Sequence, residues 1–335
     1  MAYRAALIGC GNIGSGPAHV GSNSEIISHA AAYTQNNDTI LTAVCDANPE
    51  SAKKTSVRWN VPNFYTDIGE LLKKESPDFV SVCTPNQTHH EVLLLALQTP
   101  SVRAIWAEKP LTLNSEQAEQ IVRLAKQQKV AILVNYTRRY SPAHQRLRDQ
   151  IQLGALGKIQ SVQGYYTKGI LHNGTHWLDL ARWLVDDISN LQGFQIRNEF
   201  PPDAQVDVRI QFQNGTVGYL QALDASAFSL FEMDILGTKG RVKLLDSGHR
   251  IEYFEVRPSP HYLGYQTLLP THVIDGEMDV PLHNALADLI SCVKTQRQPA
   301  CSGDDGIVAI HLAERCLKSA QGAINQLTLS HTATF

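Results

Sequence analysis

The lysine of Glu108-Lys109-Pro110 follows an apolar run, Ala104-Ile105-Trp106-Ala107, and so stands where a titratable side chain has chemistry open to it that a solvated lysine lacks. A glycine-rich turn, Gly9-Cys10-Gly11-Asn12-Ile13-Gly14, opens the chain, and Gly174-Thr175-His176-Trp177-Leu178-Asp179 brings a histidine and an aspartate later. In this order the three segments describe hydride chemistry on a nicotinamide: a cradle for the nucleotide, then a lysine and a histidine to handle the proton that must move with the hydride. A lysine with a pKa near ~10.4 is a poor base, but burial and a neighbouring nicotinamide cation both lower it. Its position at the carboxyl end of a strand, the edge where ligands bind in open α/β sheets, argues against a plain surface lysine. Glu108 is placed to hold the lysine or a ribose. His176 and Asp179 are three apart and share one face of a helix, so Asp179 can orient the imidazole or meet a substrate hydroxyl. The alternative for His176 is a helix cap.

The elements that must position these residues are legible from residue 5 onward. Ala5–Ile8, Leu41–Val44, Phe79–Val82, Ala104–Ala107 and Val130–Val134 are apolar on both faces and alternate with helical periodicity. Strands of that kind are covered by helices on both sides, which predicts a doubly wound parallel sheet, an α/β Rossmann domain over 1–137. Asn48-Pro49-Glu50 and Asn114-Ser115-Glu116 read as helix starts. After Arg138 the pattern changes. A helix over Pro142–Leu153 ends at Gly154, and strands such as Val206–Phe212 then alternate apolar and polar residues. This predicts an α+β domain over 138–335 with a large open, mainly antiparallel sheet, one face free for solvent, substrate or another subunit. Asn214-Gly215 and Gly237–Gly240 mark tight reversals. Helices near His283–Lys294 and Gly306–Ala323 close it, and the tail from Thr328 is expected to be mobile.

Within the glycine turn, Gly9, Gly11, Asn12, Ile13 and Gly14 follow the first strand directly, the context in which the pattern signals a pyrophosphate met by backbone N–H groups. A ligand-free tight turn is the alternative. Asp46, at the end of the second apolar run, suits the adenosine ribose hydroxyls and would repel a 2'-phosphate, so NAD is favoured; NADP stays open through a side chain such as Arg58. Asp46 lies 32 positions after Gly14, against roughly 20 in the usual unit. The excess falls in residues 15–24, ahead of a helix expected to start near Ile26. This insertion is read either as a cover for the cofactor or active-site mouth or as a harmless surface loop.

Composition narrows the classes. The chain has 335 residues, 43% of them hydrophobic, and a net charge of -3. That supports two cores and offers no basic field for nucleic acid or an anionic membrane. The start Met1-Ala2-Tyr3-Arg4 enters a strand without a secretory leader, no stretch is long enough to span a bilayer, and the six cysteines form no Cys-x-x-Cys pair. A cytoplasmic protein with reduced thiols is expected. His172 and His176 have the spacing of a zinc pair but lack the glutamate of H-E-x-x-H, so no metal is expected.

These motifs together resemble the Gfo/Idh/MocA family (glucose-fructose oxidoreductase, inositol dehydrogenase, rhizopine catabolism) over essentially the whole chain. The residues that carry the resemblance are Gly9–Gly14, Val44-Cys45-Asp46, Thr84-Pro85-Asn86 with His89, Glu108-Lys109-Pro110, Gly154–Ile159, His176 with Asp179, and Leu236–Gly240. The resemblance implies a nicotinamide over Thr84, Pro85 and Asn86, with the substrate between it and the second sheet. It also implies a cis peptide at Lys109-Pro110 and subunit contacts, as a homodimer or homotetramer, through that sheet. Family dehydrogenases often carry an aspartate four positions before the histidine; here His172 stands there, which leaves Lys109 the main proton handler or gives His172 an anionic group to read. His89 is read as helix-start packing with a ribose contact. Arg138, Arg139, Lys168 and His172 are candidate substrate residues, and with Lys109 they hint at an anionic substrate. The expectation is an NAD(P)-dependent dehydrogenase of a sugar, sugar acid or nucleotide sugar. An imine or enone reductase on the same scaffold and a non-catalytic NAD(H)-binding sensor are the rivals.

Overall fold

The computed structural model describes residues 2–16, 27–197 and 203–332. Most of the 15–24 insertion and the expected helix start at Ile26 lie outside the described residues, as do the last three positions of the tail. The chain divides into two compact units, residues 1–140 with 279–310, and residues 141–278 with 311–335. The simple division at 137/138 therefore moves to 140/141, and residues 279–310 return to the first unit.

In that unit β1 (Tyr3–Ile8), β2 (Thr39–Cys45), β3 (Asn63–Tyr65), β4 (Phe79–Val82), β5 (Ala104–Ala107) and β6 (Ala131–Val134) form a parallel sheet. Its order is β3-β2-β1-β4-β5-β6, the doubly wound arrangement the apolar runs predict. Helices α1 (Asn12–Ser15), α2 (His29–Gln35), α3 (Pro49–Trp59), α4 (Ile68–Glu75), α5 (His89–Leu97) and α6 (Ser115–Gln128) connect the strands. Their starts follow side-chain chemistry. The carboxamides of Asn48 and Asn114 and the carboxylate of Asp67 accept from the first-turn N–H groups of Glu50, Gln117 and Glu70. The strand order reverses between β1 and β4, and in open α/β sheets the carboxyl ends of the strands at such a reversal are where ligands bind.

In the second unit α7 (Pro142–Gln152), β7 (Ile159–Tyr166) and α8 (Thr175–Leu184) precede β8 (Ile188–Arg197), β9 (Gln205–Phe212), β10 (Val217–Ala222), β11 (Phe231–Gly237), β12 (Gly240–Leu245), β13 (Arg250–Pro258) and β14 (Gln266–Asp275). These eight strands form one sheet in the order β14-β13-β12-β11-β7-β10-β9-β8, antiparallel except for the β7–β10 pair. Alternate residues face opposite ways: Val162, Gly164, Tyr166, Met233, Ile235 and Val242 are buried, whereas Tyr165 and Tyr219 are exposed. Two helices remain, α9 (Pro281–Thr295) in the first unit and α10 (Gly303–Thr332), whose residues from His311 belong to the second. The α10 backbone is helical through Thr332, so the described part of the expected tail, Thr328 to Thr332, continues this helix.

Gly164 explains how α8 meets the sheet. A Cβ there would lie 2.0 Å from Nε1 of Trp177. The buried indole instead lies flat on bare backbone and donates to the Glu232 carbonyl at 3.0 Å. Gly164→Ala is therefore expected to destabilise the second unit by about 2 kcal/mol or more through overpacking; urea unfolding followed by tryptophan fluorescence would read this, and an unchanged midpoint would contradict the packing.

Candidate active site

The glycine turn separates into positions that fold it and one that faces open space. Gly9 has φ +97, and a Cβ on it would fall 2.4 Å from the carbonyl carbon and oxygen of Cys83. A Cβ on Gly14 would fall 2.1 Å from the Gly9 carbonyl oxygen. Both are required for β1 to turn beside the end of β4. Gly11 differs: its φ of -73 and ψ of -169 suit any residue, and among the described residues nothing lies within 4 Å of its Cβ position. The backbone N–H groups from Gly11 to Ile13 thus stand at an uncrowded surface, the geometry a pyrophosphate needs.

Asp46 closes the other side of this turn. Its carboxylate accepts from Cys10 N–H at 2.8 Å and from Asn48 N–H at 2.9 Å. A carboxylate has acceptor capacity beyond two bonds, so ribose hydroxyls can still be met. Arg58, weighed as a partner for a 2'-phosphate, donates to the Gly16 carbonyl at 2.9 Å and lies over Trp59, whose indole donates to the Ser15 carbonyl at 2.8 Å. It clamps the end of the glycine turn. The thiols nearby are not nucleophiles: burial pushes Cys10 up to about 11 and Cys45 up to about 12. All six cysteines are unbridged.

At the end of β4, the Thr84 Oγ1 atom is buried with no hydrogen-bond partner among the described residues. Such a hydroxyl is costly unless a ligand completes it. Together with the open backbone at Gly11, it makes this strand-end edge fit a dinucleotide. Pro85 and Asn86 follow in a short turn that is partly exposed. His89 is fully buried at the start of α5, with Nδ1 2.8 Å from the Pro110 carbonyl and Nε2 2.9 Å from the Thr84 carbonyl. Both ring nitrogens face backbone, so His89 joins the two strand-end turns and has no nitrogen left for the ribose contact read from the sequence.

The half-buried Lys109 follows β5, and its peptide bond to Pro110 is cis. Glu108 beside it is buried and receives Asn135 Nδ2 at 2.6 Å and His29 Nε2 at 3.1 Å on Oε1, with the Lys109 N–H at 3.3 Å on Oε2. Burial raises this carboxyl, but hydrogen bonding and positive charge from His29, the Asn135 bond and the Lys109 charge outweigh it and hold the group below the ordinary carboxylate range. Glu108 therefore serves the lysine turn from inside the protein. His29, Ser81 and Asn135 escaped the sequence reading. Asn135 had a signal, since it follows β6 as Asp46, Thr84 and Glu108 follow their strands; His29 had only its oddity in the small apolar helix His29-Ala30-Ala31-Ala32.

In the second unit, His176 and Asp179 both lie on α8, His176 half-buried with its ring edge-on to Phe231 at 6.4 Å and Asp179 buried. His172 lies in a π-helical turn, Gly169–Gly174, entered through Lys168 at φ 67. The N–H groups of Leu171 and His172 donate to Asp203 at 3.0 and 2.7 Å, so Asp203 is the carboxylate that holds this turn. Among the described residues no group of three or more His, Cys, Asp or Glu is arranged to hold a metal. Of the candidate cations, Arg139 is a buried brace: it pairs with Asp305 at 3.1 Å and donates to the Ala300 carbonyl at 3.3 Å. That removes it from the substrate candidates. Burial lowers Arg138 to about 10, which leaves it charged at neutral pH.

Comparison with known proteins gives the same architecture a family. Residues 3–136 match the oxidoreductase family GFO_IDH_MocA, described as an NAD-binding Rossmann fold, and residues 144–243 match the GFO/IDH/MocA C-terminal domain. The chain is similar to the myo-inositol 2-dehydrogenase of Thermotoga maritima, 22% identical over 95% of this chain and 96% of that one. It is also similar to the D-glucoside 3-dehydrogenase of Escherichia coli, 28% identical over 50% of each chain, so the match spans half of that relative. Among solved structures, levoglucosan dehydrogenase in complex with NADH superposes with a TM-score of 0.79 over 96% of this chain and 98% of that one, at 19% identity, a likeness of fold.

The two kinds of glycine predict opposite outcomes. Gly11→Val is expected to leave the thermal midpoint of the free protein within about 2 °C while weakening NADH binding about tenfold or more. Gly9→Ala is expected to lower the midpoint itself. Titration of NADH fluorescence beside a thermal scan separates them; equal NADH affinity in Gly11→Val would remove the cradle from this turn.

Proposed function

We propose, for a chain that belongs to the GFO/IDH/MocA oxidoreductase family, hydride transfer between a nicotinamide and a secondary alcohol of a sugar, sugar acid or nucleotide sugar, with Lys109 and His176 handling the proton. The observation that carries this reading is the lysine at the carboxyl edge of the sheet, after the strand next to β4, backed by a carboxylate that burial alone would neutralise. A bound NAD would supply the hydride acceptor for the carbinol carbon, and in its reduced form the hydride donor for the ketone. Gly11, Asn12 and Ile13 hold its pyrophosphate by backbone N–H groups and Asp46 its adenosine ribose. Thr84, Pro85 and Asn86 form the turn beneath the nicotinamide end.

The proton is the chain's own task. Lys109 Nζ takes the hydroxyl proton in the oxidising direction and returns it in the reducing one. Glu108, whose carboxylate is stabilised in part by the Lys109 charge, keeps that ammonium in place. His176 is the second proton carrier and Asp179 its orienting carboxylate. Arg138, Lys168 and His172 are the cations left to read an acidic group on the substrate.

The exposed side of the eight-stranded sheet, with Tyr165 41% and Tyr219 43% exposed, is the surface through which two or four copies associate. Aromatic residues on a mixed polar face are the composition of subunit contacts. Among the described residues no helix is long and apolar enough to cross a membrane; with six unbridged thiols, the cytoplasm is the compartment we assign.

Two measurements test this. Reduced-nicotinamide absorbance across a panel of inositols, anhydrosugars, glycosides, sugar acids and nucleotide sugars should show turnover, and Lys109→Met should lower kcat by about 10²- to 10⁴-fold. Binding of NADH with no turnover on the whole panel would leave a sensor as the reading. Tyr165→Glu combined with Tyr219→Glu should shift sedimentation toward the monomer, and an unchanged oligomer would place the subunit contact elsewhere.

A further inference from the structure

Among the buried titratable groups, His29 has no part in the chemistry proposed above. It stands on α2, fully buried, its ring 3.8 Å by centroid from the Trp106 indole and tilted by 32°. Nδ1 lies 2.9 Å from Ser81 Oγ, and the Ser81 hydroxyl donates to the buried Tyr33 phenol at 2.9 Å. With the ring fixed at one nitrogen and stacked on one face, Nε2 has a single direction, toward Glu108 Oε1 at 3.1 Å.

Glu108 needs that bond. The groups facing it are His29 from α2, Asn135 after β6, Lys109 beside it in the chain, and Cys83 after β4. Cys83 is no help: burial and then the Glu108 charge raise its thiol, so it stays neutral. Asn135 gives one short bond, and its own carboxamide is oriented by the Trp106 N–H at 3.2 Å. The Oε2 atom has the long backbone bond of 3.3 Å from Lys109. Without His29, burial would act on a carboxylate with one short donor, and such a group takes up a proton far more readily. A neutral Glu108 no longer attracts an ammonium.

We propose that His29 is a positioning residue whose Nε2–H keeps Glu108 ionised and in place, so that Glu108 in turn holds Lys109 for proton transfer. This rests on the reading of Lys109 as the proton handler. It gives α2, which touches neither reacting atom nor nucleotide in that reading, a defined share in the reaction.

The sign follows from the carboxylate. In the native protein Glu108 is already ionised through the neutral range, so its titration leaves no mark there. In His29→Phe, which retains a ring against Trp106 but has no donor, the Glu108 midpoint rises. The ratio of variant to native kcat is then expected to fall about tenfold per pH unit below that midpoint and to level off above it. His29→Gln, whose amide can donate to Glu108, should recover most of the loss at low pH. In a Glu108→Gln background His29→Phe should add no pH dependence. If the phenyl ring is not accommodated, His29→Asn, too short to reach Glu108, replaces it. Infrared spectra give an answer that does not need turnover: a carboxylic acid band missing from Glu108→Gln should grow in His29→Phe as pH falls. A flat kcat ratio, or the absence of that band at every pH, overturns the role of His29. If the native protein turns over no substrate while the band still appears, it is the proton-handling reading that fails.

Discussion

An ionised carboxylate in a dry interior is the constraint from which the rest of the first unit can be understood. Glu108 lies at the end of a strand that is buried on both faces, where charge is strongly disfavoured unless donors converge. The donors come from three directions that only this topology brings together: α2 behind the sheet, the residue after β6, and the chain's own next peptide. Removing the parallel sheet would scatter them. The same convergence fixes the backbone on which Lys109 stands, and His89 ties the other side of that turn to the turn after β4.

The carboxyl edge of the sheet repeats one device. Asp46, Thr84, Glu108 and Asn135 follow β2, β4, β5 and β6, each the first polar group after an apolar strand. Two of them, Glu108 and Asn135, satisfy each other inside the protein. Asp46 is half engaged by the glycine turn, and the Thr84 hydroxyl has no partner among the described residues. The edge thus runs from groups completed by the fold to groups that the described residues leave with bonding capacity to spare. That gradient is what a cofactor site at a topological switch point requires.

Much of this was legible in the sequence because it depends on local rules. Apolar runs without alternation gave buried parallel strands, Val206–Phe212 gave a half-covered antiparallel one, and Asn214-Gly215 lies between β9 and β10 as its turn chemistry requires. What was not legible depends on distance along the chain. His29 and Glu108 are 79 positions apart, and nothing in the spacing of either points to the other. Arg139 looked like a substrate cation because Asp305 lies 166 positions further on, in a segment that returns to the first unit. His89 shows the subtler failure. It was read as meeting a ribose, but both of its ring nitrogens already face carbonyl oxygens, of Pro110 and Thr84.

A structure of the protein with NADH would test the central claim most directly. The account predicts the pyrophosphate against Gly11–Ile13, the nicotinamide over the Thr84–Asn86 turn, and Lys109 Nζ within about 4 Å of the position a substrate hydroxyl takes beside the reactive carbon. A nicotinamide bound elsewhere, or a Lys109 side chain directed away from the ring, would contradict it.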